Sequence, residues 1–312
     1  MPTTISDVAE AMQIVLTSTA NAAARNTRFV RRRSKLTGAA FVQTLTFGWL
    51  SNPQATLEEL AQTAGTVGVA ISPQGLDQRF TPQAAACLLE VLQAAVGRVL
   101  TADPVAVPIL QRFTGGVTLL DSTTIALPDA LAALWPSCTS DTAAKGRSAL
   151  KLQVRLDLLH GTLHGPCVQA GRSADRSSPM AQASLPKGAL HLADLGYFRV
   201  GRLRELSDQG VYWLTRVQPR TALYDATGRK LSITTLLAGQ KGDVVDLPMR
   251  IGKDRLSCRV LAVRVPAAVA ATRRKRLQKI IHRRKRQTHP DCWTLTEWTL
   301  YVTNVPAELL TV

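Results

Sequence analysis

Residues 189–217, ALHLADLGYFRVGRLRELSDQGVYWLTRV, read as a strand, a helix and a strand in immediate succession. ALHLADLGYF (189–198) is an apolar strand with Asp194 near its end. RVGRLRELSDQG (199–210) has helical spacing and closes on a glycine, and VYWLTRV (211–217) is strand-like again. Working outward, GVTLLDSTTIAL (116–127) is a strand ending at Asp121. ALKLQVRLDLL (149–159) alternates, and His160-Gly161 turns it into TLHGPCVQA (162–170) as a hairpin.

Three strands, a helical connection, a strand, a helix and a strand is the order of an RNase H-like core, an α/β fold on a mixed sheet. From Pro219 to about Pro266 the runs are short and turn-rich (DATGRK, GKDR), which predicts a β-rich insertion over about 219–295. Pro104 and Pro108 mark a boundary, so the expected domains are 1–104 and 105–312.

The first hundred residues read as helical. TLEELAQTAG (56–65) sets Leu57, Leu60 and Ala61 on one face, with Thr56 as N-cap and Glu59 completing a capping box. Gly65 and Gly68 bracket a turn. Ser72-Pro73 then starts a second helix that exposes Gln74, Gln78 and Arg79. Helix, glycine turn and short polar helix is the silhouette of a helix-turn-helix, although many helical hairpins share it. TPQAAACLLEVLQAAVGRVL (81–100) is a longer amphipathic helix beneath this unit.

Composition limits the function. The chain has 312 residues, 46% of them hydrophobic, with a mean hydropathy of +0.03, enough for a packed core. No apolar run approaches the ~18 residues of a membrane span. Asp7 and Glu10 precede any basic residue, the wrong polarity for a secretory signal. Five cysteines (Cys87, Cys138, Cys167, Cys258, Cys292) with no CxxC pair read as reduced thiols, so a cytoplasmic protein is expected.

Charge is concentrated. The net charge is +16; residues 25–35 (RNTRFVRRRSK) hold six basic side chains and 273–286 (RRKRLQKIIHRRKR) hold nine, with no acid in either. Two short blocks thus carry nearly the whole imbalance, as surfaces that displace counterions from a polyphosphate would. Solvated faces or basic tails are the bland alternative. Arg31, Arg32 and Arg33 lead the first block. In the second, Arg276, Lys279, Arg283 and Arg286 share a helix face beside Arg284, with Leu277, Ile280 and Ile281 opposite.

Asp121 and Asp194 are the candidate catalytic and metal-binding residues. A carboxylate at the end of an apolar strand is costly unless it faces solvent or a cation. Two of them on adjacent strands could hold Mg²⁺ (or Mn²⁺) through hard oxygen ligands, the arrangement that phosphoryl transfer uses. Plain strand ends or helix caps are the alternative. Asp175, in the loop GRSADRSS (171–178), is a candidate supporting residue, and His191 a neighbour that could approach the site. His160 and His164 have metal-compatible spacing, but Gly161 and Gly165 favour a hairpin.

The segments LLDSTTIALP, ADLGYFRVGRLRELSDQGVYWLTRV and WTLYVTNVP together resemble a DDE transposase of bacterial insertion sequences, in the insertion-sequence-four group. The resemblance covers roughly residues 40–312. It implies an RNase H-like catalytic core, a helical DNA-binding part, Mg²⁺ or Mn²⁺, transposon-end and target DNA as partners, and a homodimer on DNA. It puts Asp121 in the first acidic position and Asp194 in the second, with Tyr197, Phe198 and Arg216 as neighbours. The third acid of the pattern is a glutamate in a tyrosine-arginine-glutamate-lysine context. Glu308 follows Thr303-Asn304-Val305-Pro306 without that context and is not assigned, so the sequence reads as a transposase cut short before its third acid. The expected function is metal-dependent strand cleavage and transfer when complete. The rivals are a truncated DNA-binding regulator of transposition and a nuclease of similar fold.

Overall fold

The run 116–127 forms β1 (Val117–Leu127) in a computed structural model that describes residues 5–99, 107–137, 148–238, 240–284 and 288–311. Its antiparallel ladder with β2 (Ser148–Asp157) runs from Thr118↔Asp157 to Leu127↔Ser148. Asp121 therefore lies in the middle of β1, opposite Val154, and not at the strand's end. What ends near Asp121 is the other neighbour, the parallel strand β4 (Leu190–Ala193), whose last pair is Leu120↔Ala193. The apolar run stops where β4 stops, while pairing with β2 carries β1 further.

The hairpin partner β3 is Thr162–Ala170, and α7 is the short helix Pro179–Gln182. After β4 come α8 (Val200–Asp208) and β5 (Tyr212–Arg216), which is parallel to β4. Gly210 ends the helix at φ +72°, left-handed backbone that a side chain would strain. These strands stand in the order β3-β2-β1-β4-β5. The fold is the expected RNase H-like α/β arrangement.

The segment read as a β-rich insertion also carries helices. It contains β6 (Leu223–Tyr224), β7 (Lys230–Leu231), α9 (Ile233–Ala238), β8 (Val244–Ile251), β9 (Leu256–Arg264), α10 (Ala267–Arg284) and α11 (Pro290–Glu297). The final strand, β10 (Trp298–Thr303), pairs antiparallel with both β5 and β9. Insertion and core thereby join one ten-stranded sheet, continuing β5-β10-β9-β8-β6-β7. They also share one apolar core, in which Trp213, Leu206 and Val302 meet Leu223, Ile233, Ile251 and Val260. Buried Asp291 fastens α11 to α9 by accepting hydrogen bonds from the Thr234 N–H (3.1 Å) and hydroxyl (3.0 Å).

The chain divides into two units, Met1–Pro104 with His160–Gly165, and Val105–Leu159 with Pro166–Val312. In the first, α1 (Ile5–Ile14) passes through a π-helical turn (Val15–Thr19) into α2 (Ala20–Asn26). The others are α3 (Gly38–Ser51), α4 (Leu57–Thr66), α5 (Pro73–Asp77) and α6 (Pro82–Val99). The capping box of Thr56 and Glu59 is present on α4. Phe41, Leu45, Leu60 and Leu76 form the core where α3, α4 and α5 meet.

The second helix of the expected helix-turn-helix is a single turn. Ser72 caps α5, yet the helix ends at Asp77, leaving Gln78 as its C-cap and Arg79 beyond it. Thr81-Pro82 enforces this break: the residue before a proline avoids helical backbone, and the Thr81 hydroxyl instead accepts the Ala84 N–H at 3.2 Å. Gln74, Gln78 and Arg79 are exposed, as expected, but not along one recognition helix.

Candidate active site

Pleat alternation decides which side of the sheet each acid faces. Val117 and Leu190 pack in one cluster with Leu192 and Leu214, whereas Leu120 and Ala193 pack with Tyr197 on the other face. Asp121 alternates with Leu120 and so shares the face of Val117. Asp194 has extended backbone (φ −73°, ψ 169°) and continues the alternation of Leu190 and Leu192. Asp121 follows Leu120 on β1 and Asp194 follows Ala193, the last residue of β4, so each acid comes one residue after the last β1–β4 pair, Leu120↔Ala193, and both are exposed. Arg216 likewise comes one residue after Thr215, the partner of Ala193 on β5, and is also exposed.

The Ser122 N–H donates to Asp121 Oδ1 at 2.8 Å and limits how that carboxylate turns. Tyr197 follows Asp194 by one short 3₁₀ turn, Leu195–Tyr197. Its phenol is buried, and burial pushes it up to about 12, opposed by a hydrogen bond with the Ser122 side chain and reinforced by the negative charges of Asp175, Asp121 and Asp194. Tyr197 is therefore a neutral neighbour of the acids.

Two carboxylates are donors that suit a hard divalent cation. Mg²⁺ is commonly held by one or two carboxylates, with water and substrate phosphates completing its shell. Among the described residues, no group of three or more His, Cys, Asp or Glu side chains is placed to hold an ion. Glu308 is exposed, and its carbonyl accepts Arg112 at 3.4 Å.

His191 does not approach the acids. It shares the Ala193 face, where its Nδ1 lies 3.1 Å from the Thr118 hydroxyl. There it lines a cavity of about 320 Å³ with Arg202 and Trp213. Burial, reinforced by the Arg202 and Arg155 cations, lowers its pKa to about 4.

The basic residues fall in two places, one in each unit. Arg31, Arg32 and Arg33 are exposed and line a groove with Arg25 and Arg28; Arg79 joins the same three arginines in an adjoining one. Arg79 thus belongs with the first basic block. In the second unit, α10 is an 18-residue helix along which Arg276, Lys279 and Arg283 are exposed. Ile280, expected in its apolar seam, is 42% exposed, while Leu277 and Ile281 are half-buried. Arg286 and the side chain of Arg284 lie outside the described residues. Not all of the block is free for a ligand: Arg274 pairs with Glu297, and Arg273 bonds Thr299 Oγ1 at 3.1 Å.

Sequence spacing missed a network behind the acids, in which Lys151 meets Asp175 at 2.8 Å. The available signal was a lysine inside the apolar strand 149–159. In addition, no helix among the described residues is long and apolar enough to cross a membrane.

Comparison with known proteins finds relatives among bacterial transposases. The transposase for insertion sequence element IS231E of Bacillus thuringiensis subsp. finitimus is 24% identical over 311 residues, covering 91% of this chain and 63% of the relative. The transposase for insertion sequence element IS231F of Bacillus thuringiensis subsp. israelensis is 25% identical over 312 residues, covering 91% and 64%. The transposase for insertion sequence element IS1151 of Clostridium perfringens is 24% identical over 207 residues, covering 65% and 43%. The chain spans less than two thirds of the length of these relatives. Residues 112–312, from just before β1 to beyond β10, match the family described as Transposase DDE domain, and by that match the chain belongs to the DDE transposase family.

Proposed function

We propose that this protein is an insertion-sequence transposase of the insertion-sequence-four group that cleaves and joins DNA at the ends of its element. The observation that supports the reading is the last β1–β4 pair, Leu120↔Ala193, after which Asp121 and Asp194 are the next residue on each side. These two residues would hold Mg²⁺ or Mn²⁺, which when bound supplies Lewis-acid charge and an activated water for phosphodiester cleavage. Arg216, one residue after the β5 partner of Ala193, meets the phosphate that the acids alone would repel. Arg31, Arg32, Arg33 and Arg79 on the helical unit, and Arg276, Lys279 and Arg283 on α10 with Arg284 and Arg286 after them, grip the duplex by its backbone. Gln74 and Gln78 contribute little base reading from a helix of one turn. Two copies act together on paired ends at the nucleoid.

The test is nicking of a labelled element end in Mg²⁺ or Mn²⁺, with the remaining length of a relative supplied in cis or in trans. Asp121→Asn and Asp194→Asn each keep shape, remove charge and should lower cutting by more than about 10²-fold, the cost of misplacing reacting groups by ~1 Å. Cutting that survives either change would reject the assignment.

A further inference from the structure

Asp175 meets Ser122, the residue after Asp121, and approaches Gly196, two residues after Asp194, yet its chemistry is already committed. Its Oδ1 accepts from Lys151 Nζ at 2.8 Å and from the Ser122 hydroxyl at 3.0 Å. Lys151 is only 8% exposed and also donates to the Ser173 carbonyl at 2.7 Å, so the ammonium is fixed from two sides. A carboxylate neutralised by a buried ammonium is a poor metal ligand, because binding a cation would strand the lysine charge in the interior. Asp175 is therefore not a further metal ligand beside Asp121 and Asp194.

Its position nonetheless touches both acid-bearing segments. On one side it holds Ser122, whose N–H bonds Asp121. On the other it lies against the turn after Asp194: a Cβ on Gly196 would come within 2.6 Å of Asp175 Oδ2. Glycine at 196 is what lets the carboxylate sit there. We infer that Asp175, held by Lys151, is a positioning residue that locks the β1 backbone at Asp121 to the turn bearing Asp194, fixing the spacing of the two acids.

This rests on the reading of Asp121 and Asp194 as the metal-holding pair, so its test separates the two. Mn²⁺ is titrated into the 312-residue chain and followed by electron paramagnetic resonance, well below the melting temperature of each variant. Asp121→Asn should abolish binding; equal titration of wild type and Asp121→Asn would reject the metal reading itself. Asp175→Ala should weaken Mn²⁺ binding about 10- to 100-fold, as loss of an outer partner of a ligand does. Gly196→Ala should do likewise by pushing the carboxylate aside, and the double variant should lose no more than Asp175→Ala alone. A folded Asp175→Ala that binds Mn²⁺ like wild type, or losses that multiply in the double variant, would overturn the inference. Amide hydrogen exchange gives a metal-free readout: either substitution should speed exchange at Ser122 and at Leu195 together. Unchanged exchange at both would overturn it as well.

Discussion

The Asn304 side chain closes the end of β5 by bonding the backbone at Trp213. Its Oδ1 accepts the Trp213 N–H at 2.7 Å, while its Nδ2 donates to the Val211 carbonyl at 3.0 Å and the Ser207 hydroxyl at 3.1 Å. Next to it, the Thr303 hydroxyl donates to the Trp213 carbonyl at 2.6 Å and accepts the Val305 N–H at 3.0 Å. β5 lies between β4 and β10, where backbone groups have no water to fall back on. The Thr303-Asn304-Val305-Pro306 segment is thus a structural fastener, holding β5, the strand that carries Arg216, to the end of β10.

Asn304→Ala should cost about 2–4 kcal/mol, because a buried donor and acceptor both lose their partners. The melting temperature should fall by about 5–15 °C. Asn304→Asp keeps the acceptor but sets a carboxylate against the Val211 carbonyl, so it should rescue little. Denaturant unfolding of the three proteins decides this, and a wild-type midpoint in Asn304→Ala would refute the fastening role.

His191 gives the second prediction. Its pKa is lowered from 6.5 to about 4 by burial and by the Arg202 and Arg155 cations. Protonation is therefore easier in the unfolded chain. The stability that neutral His191 provides is fully present above pH 6.5 and is lost as the pH falls towards 4. Integrated over that window the loss approaches roughly 3 kcal/mol. His191→Gln should flatten the acid limb of stability between pH 6.5 and 4 while changing little of its shape above pH 7. Parallel acid limbs for the two proteins would contradict the burial argument.

Local signals were legible where local chemistry decides the backbone. Thr56 with Glu59 placed the start of α4, and Ser72-Pro73 the start of α5. The strand–helix–strand order of 189–217 was legible for the same reason, since alternation and a closing glycine are properties of neighbours. Pairing across the sheet was not. Asp121 looked terminal because the apolar run stops there, but β2 carries β1 on to Leu127. The union of β8 and β9 with the core sheet depends on β10, which comes tens of residues later. At the site, the two acids could be picked out as charges interrupting apolar runs. The bond between Lys151 and Asp175 joins residues 24 apart on a strand and a loop, and no spacing rule reports it.

The shortness of α5 leads to a third prediction. A recognition helix reads bases by laying successive exposed positions along a major groove. Five residues make little more than one turn, and Gln78 is already the C-cap. Gln78→Ala should then lower binding to element ends and to scrambled duplex equally, by under about 1 kcal/mol, less than the loss of a bidentate base contact. A selective loss on element ends alone would restore base reading to this turn.

The salt dependence of duplex binding separates the arginines of α10 by what they already touch. Each phosphate neutralised contributes about −0.9 to the slope of log K against log salt. Arg276, Lys279 and Arg283 are exposed along the helix, whereas Arg273 bonds Thr299 and Arg274 pairs with Glu297. Replacing Arg276, Lys279 and Arg283 together by Ala should make the slope shallower by up to about 2.7 and leave the melting temperature nearly unchanged, since exposed side chains contribute little to stability. Arg273→Ala should show the opposite pattern, a lower melting temperature with an unchanged slope, because it removes a bond that secures α10 to β10. Fluorescence anisotropy with a fixed duplex across a salt series, alongside thermal melts, measures both quantities on the same samples. A slope that does not move in the triple variant would mean that α10 carries its charge towards solvent and not towards DNA, and would leave the Arg31–Arg33 groove as the duplex-binding surface.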